Sequence, residues 1–339
     1  MKEHKRKFIL FFFSIFFSDF LIFSNENKFF SFRVTPKIEL ANGQINEYVF
    51  SAACKNENYK LSELDWDFNN IPVISICGEF DFIKYIHAQI KFCSGMPKQS
   101  GYMQDYDWLN SVAGPTTPDT EISWLNDSPY EVTNYSRHNN ELQNYTTFSL
   151  GIGTNIFLPQ RITLTPAILY YYDYLDFISK DGFTYYKYNN WNVNYHFGKA
   201  ISYKQETNAL LLALKMHMET FDYIVFDADF FFSPAMTFLN AIDYHYVQQR
   251  STGTAFWDEF TNIWQVGAST QIQYRFNKSN SAGISASVQY IPLYHGNTRV
   301  RGIDANGNLD SEGWSAPHFN TGGTERIIWK IGLSYSFSL

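Results

Sequence analysis

The sequence predicts an all-β fold, a ten-stranded antiparallel transmembrane β-barrel with long extracellular loops. Three observations predict it. The composition is rich in aromatic residues yet polar on average, apolar and polar residues alternate along many segments, and the connections between those segments are alternately short and long. Each is typical of a barrel whose strands face lipid on one side and a wet lumen on the other.

The composition separates a barrel from a helical membrane protein. Aromatic residues make up 19% of the 339 residues and charged residues only 17%, while the mean hydropathy is slightly negative at -0.28. A bundle of membrane helices needs stretches of about 20 apolar residues and would not be polar on average. In a barrel strand one residue faces lipid and the next faces the lumen, so apolar and polar residues are mixed one for one.

The N-terminal segment is typical of a secretory signal peptide, which we predict at residues 1–24. A basic cluster within 2–7 precedes the Phe-rich run 8–23, which is short for an uncleaved anchor and is interrupted by Asp19. Its removal takes away four basic and two acidic residues, so the formal charge changes from -7 to -9. The mature chain, 25–339, is predicted to be a single barrel domain. Its acidity argues against nucleic acid as a partner and favours cationic partners.

Strict alternation predicts two strands near the C-terminus. From Trp264 to Phe276 every second residue belongs to a mainly apolar set, and the final segment 331–339 repeats the pattern with Gly332 and three serines between the apolar residues. Successive side chains of a strand point to opposite faces, so the apolar set is predicted to face lipid. Chains exported to the outer membrane commonly end on such a strand, usually with an aromatic residue, and Leu339 departs slightly from that habit.

Ten alternating segments are predicted as strands, and their connections differ in length. Short periplasmic turns and long extracellular loops are expected of outer-membrane barrels, so functional residues are predicted on the side of the long loops. The strands are predicted at 45–54, 60–80, 85–100, 143–156, 162–177, 199–215, 222–240, 259–276, 283–296 and 323–339. The short connections are 81–84, 157–161, 216–221 and 277–282, and the long ones are 101–142, 178–198, 241–258 and 297–322.

The cysteines leave two alternatives. Cys54, Cys77 and Cys93 are too few, and odd in number, for a disulfide framework. Cys77 and Cys93 are about equally distant from a turn expected near Tyr85, so they could face each other and form a bridge. The other alternative is that both are free thiols.

Two short polar clusters fall where long loops are expected to leave their strands. Asp105 and Asp107 form one, and Asp243 with His245 forms the other. Residues two apart in an extended segment project from the same face, so each pair can point into one cleft. Such pairs could hold a water molecule and remove its proton as it attacks a carbonyl, with His245 as the base. The alternative is that all four are ordinary solvated loop charges.

Other kinds of site have little support in the sequence. The scattered histidines show no metal-ligand spacing, so no metal site is predicted, and neither a Gly-x-Ser-x-Gly elbow nor a phosphate-binding loop is present.

The polar clusters belong to a wider resemblance to the omptin family of outer-membrane proteases, which covers roughly residue 40 to the end. Five segments are similar to omptin segments and occur in family order. They are 62–70 (SELDWDFNN), 101–108 (GYMQDYDW), 136–138 (SRH), 201–205 (ISYKQ) and 243–246 (DYHY).

The resemblance implies roles for individual residues. Asp243 with His245 and Asp105 with Asp107 would be the two catalytic pairs, with a water between them as the nucleophile. Omptins cleave after basic residues by means of two acids at the base of a pocket, and Glu47 matches one of these acids.

Other positions match the walls of that pocket or depart from the family. Met103 and Ile201 match pocket walls, and Asp65 matches an acid near the cleft. Ala241 stands where the second pocket acid is expected, so the preference for Arg or Lys would be relaxed or changed.

The resemblance also bears on lipid. Known omptins bind lipopolysaccharide as an activator with basic side chains on the outer wall, and the matching positions here are Tyr174, Glu206 and Trp257. The loss of three cations should weaken attraction to phosphate. Either the barrel meets a differently charged lipid or it does not depend on one, and no other cofactor is predicted.

The sequence therefore predicts an aspartyl endopeptidase of the bacterial outer membrane, with its active site on the extracellular side and polypeptide substrates that are cut at or near basic residues. An alternative is a non-enzymatic adhesin or host-interaction barrel, favoured by the missing pocket acid and the changed lipid positions. A third reading is a lipid-modifying barrel hydrolase, which would need a serine nucleophile beside a histidine.

Overall fold

The structure is a computed structural model that describes residues 30–50, 60–108, 132–246, 253–304 and 307–339. The predicted signal peptide and Cys54 lie outside the described residues.

The described chain is built almost entirely of antiparallel strands that pair in sequence around one closed sheet. The first strand pairs with the second on one side and with the last strand on the other, which closes the ring. Within the described ranges the one helical segment is a short 3₁₀ helix, Lys187–Asn189. The strands are β1 (Phe30–Phe50), β2 (Lys60–Phe82), β3 (Ile86–Gly95), β4 (Lys98–Asp107), β5 (Asn134–Thr154), β6 (Ile156–Leu158), β7 (Ile162–Tyr186), β8 (Val193–Thr220), β9 (Ile224–His245), β10 (Gly253–Arg275), β11 (Asn280–Ile303) and β12 (His318–Ser338).

The twelve named segments form ten full barrel strands, as the sequence predicts. β3 and β4 are two halves of one barrel strand, because both pair with β2 on one side and with β5 on the other. The break falls at Met96 and Pro97, and proline cannot donate a ladder hydrogen bond. β6 is a three-residue continuation of β5 that pairs with β7.

A belt of exposed apolar side chains runs around the outer wall over part of the length of the barrel. The predicted alternation of the last strand is present there: Ile331 and Leu333 are exposed, while Ser334 and Ser336 are buried in the lumen. Similar exposed apolar residues occur on the other strands, among them Ile38, Ile74, Ile90, Ile152, Ile168, Leu212, Phe230, Phe238, Ile272 and Ile284. This is the lipid-facing surface expected of a transmembrane barrel. Among the described residues, none forms a helix long and apolar enough to cross a membrane.

The strands extend further beyond this belt than the sequence predicts. β1 begins at Phe30 rather than at 45, so the prediction missed the part of this strand that carries the belt residue Ile38. At the opposite end β4 continues to Asp107 and β9 to His245, whereas 101–142 and 241–258 were predicted to be loops. Beyond the lipid neither face of a strand must be apolar, so the period-two pattern weakens although the backbone pairing continues. The two predicted site pairs are consequently the last residues of strands rather than loop residues. We call this end of the barrel the mouth.

The interior changes character along the barrel axis. Under the mouth lies a core of aromatic and aliphatic side chains, in which the rings of Trp66 and Tyr203 stack at 5.4 Å between centroids. Within the belt the lumen is polar. Arg326 and Asp173, each about 1% exposed, form a two-pronged ion pair with N–O distances of 2.6 and 2.9 Å. The aromatic core therefore separates the mouth from the charged lumen.

The Cys77–Cys93 bridge is not formed. Both cysteines are free, and the β2–β3 register pairs Cys93 with Ser75 and Cys77 with Lys91. The turn is centred one residue earlier than Tyr85, which shifts the pairing by two residues and makes the cysteines diagonal neighbours. Diagonal neighbours in a sheet have Cα atoms about 7–8 Å apart, which is beyond disulfide geometry.

Candidate active site

Asp243 and His245 share one inward face of β9, close to its end. His245 Nε2 lies 2.5 Å from Asp243 Oδ2, and the Asp243 side chain is 2% exposed whereas that of His245 is 36% exposed. Asp243 pairs with Tyr203 and Phe256 on the flanking strands, and His245 pairs with Ile201. Asp243 thus holds a ring that opens to the mouth, and Nδ1 is the ring nitrogen left to accept a proton.

Asp105 and Asp107 form the second pair, on the inward face of β4. A bulge at the start of β4 sets this face: Gly101 has φ +120°, a conformation that a side chain disfavours, and Tyr102 N donates to Asp67 Oδ2 at 2.9 Å. A Cβ at Gly101 would lie 2.4 Å from Asp67 Oδ2, so only glycine fits. The bulge determines that the two aspartates, rather than their neighbours, face inward.

Neighbouring side chains hold this second pair. Ser62 Oγ donates to Asp105 Oδ1 at 3.2 Å, and Asn134 Nδ2 donates to Asp107 Oδ2 at 2.9 Å. Burial and the Asp107 carboxylate raise the pKa of Asp105 well above its usual range. Burial also raises the pKa of Asp107, although hydrogen bonds from Asn134 and Ser62 oppose the rise. Two crowded carboxyls of this kind retain a proton between them at a pH at which isolated ones would not.

The two pairs converge on the mouth from different sides of the barrel, β4 between β2 and β5 and β9 between β8 and β10. They are close enough to interact electrostatically. Burial alone would lower the pKa of His245, but the charge and hydrogen bond of Asp243, together with the charges of Asp105 and Asp107, raise it above 6.5. Because the last belt residue of β9 is Phe238, this cluster lies beyond the lipid.

A third group of acids lies beside Asp243. Glu47 of β1 is 2% exposed and Asp258 of β10 is 4% exposed. Burial, then the charges of Asp243 and Asp258, raises the pKa of Glu47 well above its usual range. Burial and Asp243 raise the pKa of Asp258 to about 8, although a hydrogen bond from Thr298 opposes the rise. Five carboxyl groups, of Glu47, Asp105, Asp107, Asp243 and Asp258, therefore surround His245 and one another.

The two residues predicted as pocket walls, Met103 and Ile201, are buried under these groups, as is Ala241 at the position of the missing pocket acid. Met103 is fully buried, Ile201 is 6% exposed and Ala241 is 2% exposed, and all three belong to the core under the mouth. Ile201 is the cross-strand partner of His245, so it lies beside the imidazole. All the predicted site residues except Asp65 are thus brought together at the mouth.

Asp65, which matches a family acid near the cleft, lies at the level of the site, opposite Gln104 of β4, but does not face it. It alternates with the inward residues Leu64 and Trp66 on β2, which turns its side chain to the outer face of the barrel. The sequence also gave no role to Ser62, Asn134 or Asp258, which contact the site through cross-strand pairing. The one available signal was that Ser62 begins a segment that resembles the family. No group of three or more His, Cys, Asp or Glu side chains in the described ranges is arranged to hold a metal ion.

Comparison with known proteins identifies the family of this barrel. The model of the Omptin family matches residues 30–337. The chain belongs to the omptin family. The predicted resemblance is therefore confirmed over nearly the whole of the described chain, and omptin membership together with the apolar belt indicates a protein of the bacterial outer membrane.

Two known proteins illustrate how divergent this omptin is. The structure of the outer membrane protease OmpT from Escherichia coli is similar with a TM-score of 0.76 and 18% identity, over 94% of this chain and 99% of that one. The plasminogen activator of Yersinia pestis is 24% identical over 109 residues, which is 32% of this chain and 31% of that relative. The sequence match thus spans about a third of the relative's length, whereas the structural similarity spans the whole barrel.

Tyr174, Glu206 and Trp257, the positions that the sequence matches to the family's lipid-binding residues, are all described by the structure. Tyr174 and Glu206 are cross-strand partners on β7 and β8. Trp257 packs edge-on against Trp314 at 5.5 Å, and the Arg299 guanidinium lies 5.7 Å from its ring centroid while it is ion-paired with Glu259. The guanidinium that lies near Trp257 is thus already ion-paired.

Proposed function

We propose that this omptin is an endopeptidase of the outer membrane that hydrolyses peptide bonds at the mouth of the barrel, on the extracellular side. The observation that carries the proposal is the convergence of the Asp105–Asp107 pair with the Asp243–His245 pair at one end of the barrel. The names of two similar proteins, a protease and a plasminogen activator, agree with it. The mouth is also the end with the long connections, which in outer-membrane barrels is the extracellular one.

In the proposed mechanism a water molecule lies between the two pairs. His245 takes a proton from the water through Nδ1 while the water oxygen attacks the carbonyl carbon of the peptide, and Asp243 stabilises the imidazolium through Nε2. The proton retained by Asp105 and Asp107 supports a hydrogen bond to the developing oxyanion. The imidazolium then protonates the leaving amine as the C–N bond breaks. No covalent intermediate is needed.

Substrates are proposed to be polypeptides that carry a basic residue near the cut. Five crowded carboxyls at the mouth favour a cationic side chain, and Glu47 with the apolar walls Met103 and Ile201 offers both charge and contact for the stem of a lysine or arginine. The acidic chain as a whole would attract such substrates before binding. Outer-membrane lipid is the other partner, and we propose that lipopolysaccharide is not a required activator because Tyr174, Glu206 and Trp257 lack the charge to hold its phosphates.

The proposal is tested by incubating the purified barrel, in detergent or lipid, with a randomised peptide library and reading the cleaved bonds by mass spectrometry. Cleavage should depend on the two pairs, so Asp105→Ala and His245→Ala should each lower kcat/KM by about 10³-fold or more. Ser269→Ala, deep in the lumen, is the matched control and should cleave like the natural chain. Retained cleavage in both mouth variants, or host-cell binding without any cleavage, would instead favour the adhesin alternative.

A further inference from the structure

The acid that is absent at Ala241 has a counterpart on the adjacent strand. Ala241 and Asp258 are direct cross-strand partners of β9 and β10, on the same inward face as Asp243. Directly opposed residues of antiparallel strands have Cβ atoms about 4.5–5.5 Å apart. A carboxyl group is therefore present next to the position where the family has one, but it comes from the other strand.

The carboxyl group of Asp258 is held by a hydrogen bond and occupies a space that a glycine leaves open. Thr298 Oγ1 donates to Asp258 Oδ1 at 2.5 Å, and Gly322 of β12 leaves the space that the carboxyl occupies, since a Cβ there would lie 2.6 Å from Oδ1. Its charged and titratable neighbours are Glu47, Asp243 and Tyr203. Throughout the described chain no Lys, Arg or His is ion-paired with Asp258 or Glu47, so these buried acids lack a cation.

Two oxygens of this cluster have no hydrogen-bond donor. Glu47 Oε2 and Asp243 Oδ1 are buried with no hydrogen-bond partner. Glu47 and Asp243 are within hydrogen-bonding contact, which two carboxyl groups can use only if one carries a proton. Buried acids without partners are costly, and a cationic donor inserted among them would satisfy several oxygens at once.

We propose that Asp258, together with Glu47, forms the acidic floor of the pocket that binds a lysine or arginine side chain of the substrate, in place of the acid missing at Ala241. The inference rests on the proposed peptidase function and extends it to a specificity-determining residue. An ammonium or guanidinium group would replace the retained proton and donate to Glu47 and Asp258. The expected preference for a basic residue is therefore restored rather than relaxed.

The test compares two peptides that are identical except for the residue before the cleaved bond, which is arginine in one and its neutral isostere citrulline in the other. The natural chain should cleave the arginine peptide with the higher kcat/KM. Asp258→Asn should lower the arginine-to-citrulline ratio by about tenfold or more, because one of two buried partners of the cation is lost. Adding Ala241→Asp to Asp258→Asn should raise the ratio again, since the acid is returned from the neighbouring strand.

Glu259→Gln is the matched control, because Glu259 is the next residue, is ion-paired with Arg299 and faces away from the pocket. It should leave the ratio unchanged. A ratio near one in the natural chain, or an unchanged ratio in Asp258→Asn, would overturn the inference while leaving the peptidase proposal intact.

If neither peptide is cleaved, the peptidase proposal fails and binding decides the inference separately. Fluorescently labelled forms of the two peptides are then titrated onto the barrel. Preferential binding of the arginine peptide that Asp258→Asn removes would support the pocket. Equal binding of both peptides would overturn it.

Discussion

Two regions of this barrel handle buried carboxyl groups in opposite ways. In the lumen Glu79 and Asp227 are both bound by Arg33, at 2.6 and 3.1 Å, and Asp173 is bound by Arg326. At the mouth five carboxyls lie together and only Asp243 is paired with His245, while within the described residues none of the five is ion-paired with a lysine or arginine.

The difference separates a structural site from a reactive one. Removing one partner of a satisfied buried pair leaves an uncompensated charge, so the lumen pairs help to hold the strands in register. The acids of the mouth instead lack a lysine or arginine partner, so a bound proton or a cationic group of a substrate is needed to neutralise them. Groups with strongly perturbed pKa values in a cleft are candidates for function, and Asp105, Glu47 and Asp258 at the mouth are groups of this kind.

The largest expected effect comes from breaking the lumen side of the comparison. Asp173→Ala should lower the free energy of unfolding by about 3–5 kcal/mol, because Arg326 remains buried and unpaired. The measurement is urea unfolding in lipid vesicles followed by tryptophan fluorescence. The double variant Asp173→Leu/Arg326→Met should recover most of the loss, since both charges are then gone. A double variant as unstable as the single one would show that the pair is not the cause.

The next effect is the pH dependence of folding stability that arises from Asp258 at the mouth. The pKa of Asp258 is about 8 in the folded chain against 3.8 for a free aspartate, so the folded state binds this proton more tightly. Its contribution to stability is complete below about pH 4 and is lost as the pH rises through about 8, at no more than about 1.4 kcal/mol per pH unit.

Asp258→Asn removes this titration. The variant should therefore lose stability less steeply than the natural chain between pH 5 and 9, and should be the more stable of the two at pH 9. Urea unfolding at several pH values measures the slope, with Glu259→Gln as the control. Identical slopes for Asp258→Asn and the natural chain would contradict the expectation.

A smaller effect should appear in the pH dependence of peptide hydrolysis. His245 acts as a base only when it is neutral, and its pKa is raised above 6.5. Activity should consequently fall as the pH drops through a pKa above 6.5, by about tenfold per pH unit on the acid limb. The profile of kcat/KM from pH 5 to 9 measures it. An acid limb centred below pH 6.5 would indicate that the neighbouring carboxylates do not act on the ring.

The smallest expected effect is that of lipid on the outer wall. Omission of lipopolysaccharide should change kcat/KM by less than about fivefold, which is the size of an exposed ion pair. Glu206→Arg restores a cation at one of the family positions, so it should make the activity more sensitive to lipopolysaccharide. Activity of the natural chain that is absent without lipopolysaccharide would show that other cations on the wall bind it.

Much of the fold could be predicted from the sequence because the alternation of apolar and polar residues along a strand shows which face lies against lipid. Trp264, Ile272, Ile331 and Leu333 are exposed to the lipid side as predicted, and ten barrel strands are present. The prediction was less accurate for the parts of the strands beyond the lipid, where neither face has to be apolar. There β4 and β9 continue past their predicted ends, and Asp65 faces away from the two site pairs.

By itself the sequence determined the number of strands, their lipid-facing sides and the two polar pairs, because residues two apart on one strand must share a face. Only the tertiary structure decided which strands lie side by side and in which register. That register separates Cys77 from Cys93, sets Ser62 opposite Asp107 and within hydrogen-bonding distance of Asp105, and brings Asp258 opposite Ala241. Cross-strand neighbours are distant in the chain, and a shift of two residues in register exchanges one partner for another without changing the alternation of either strand.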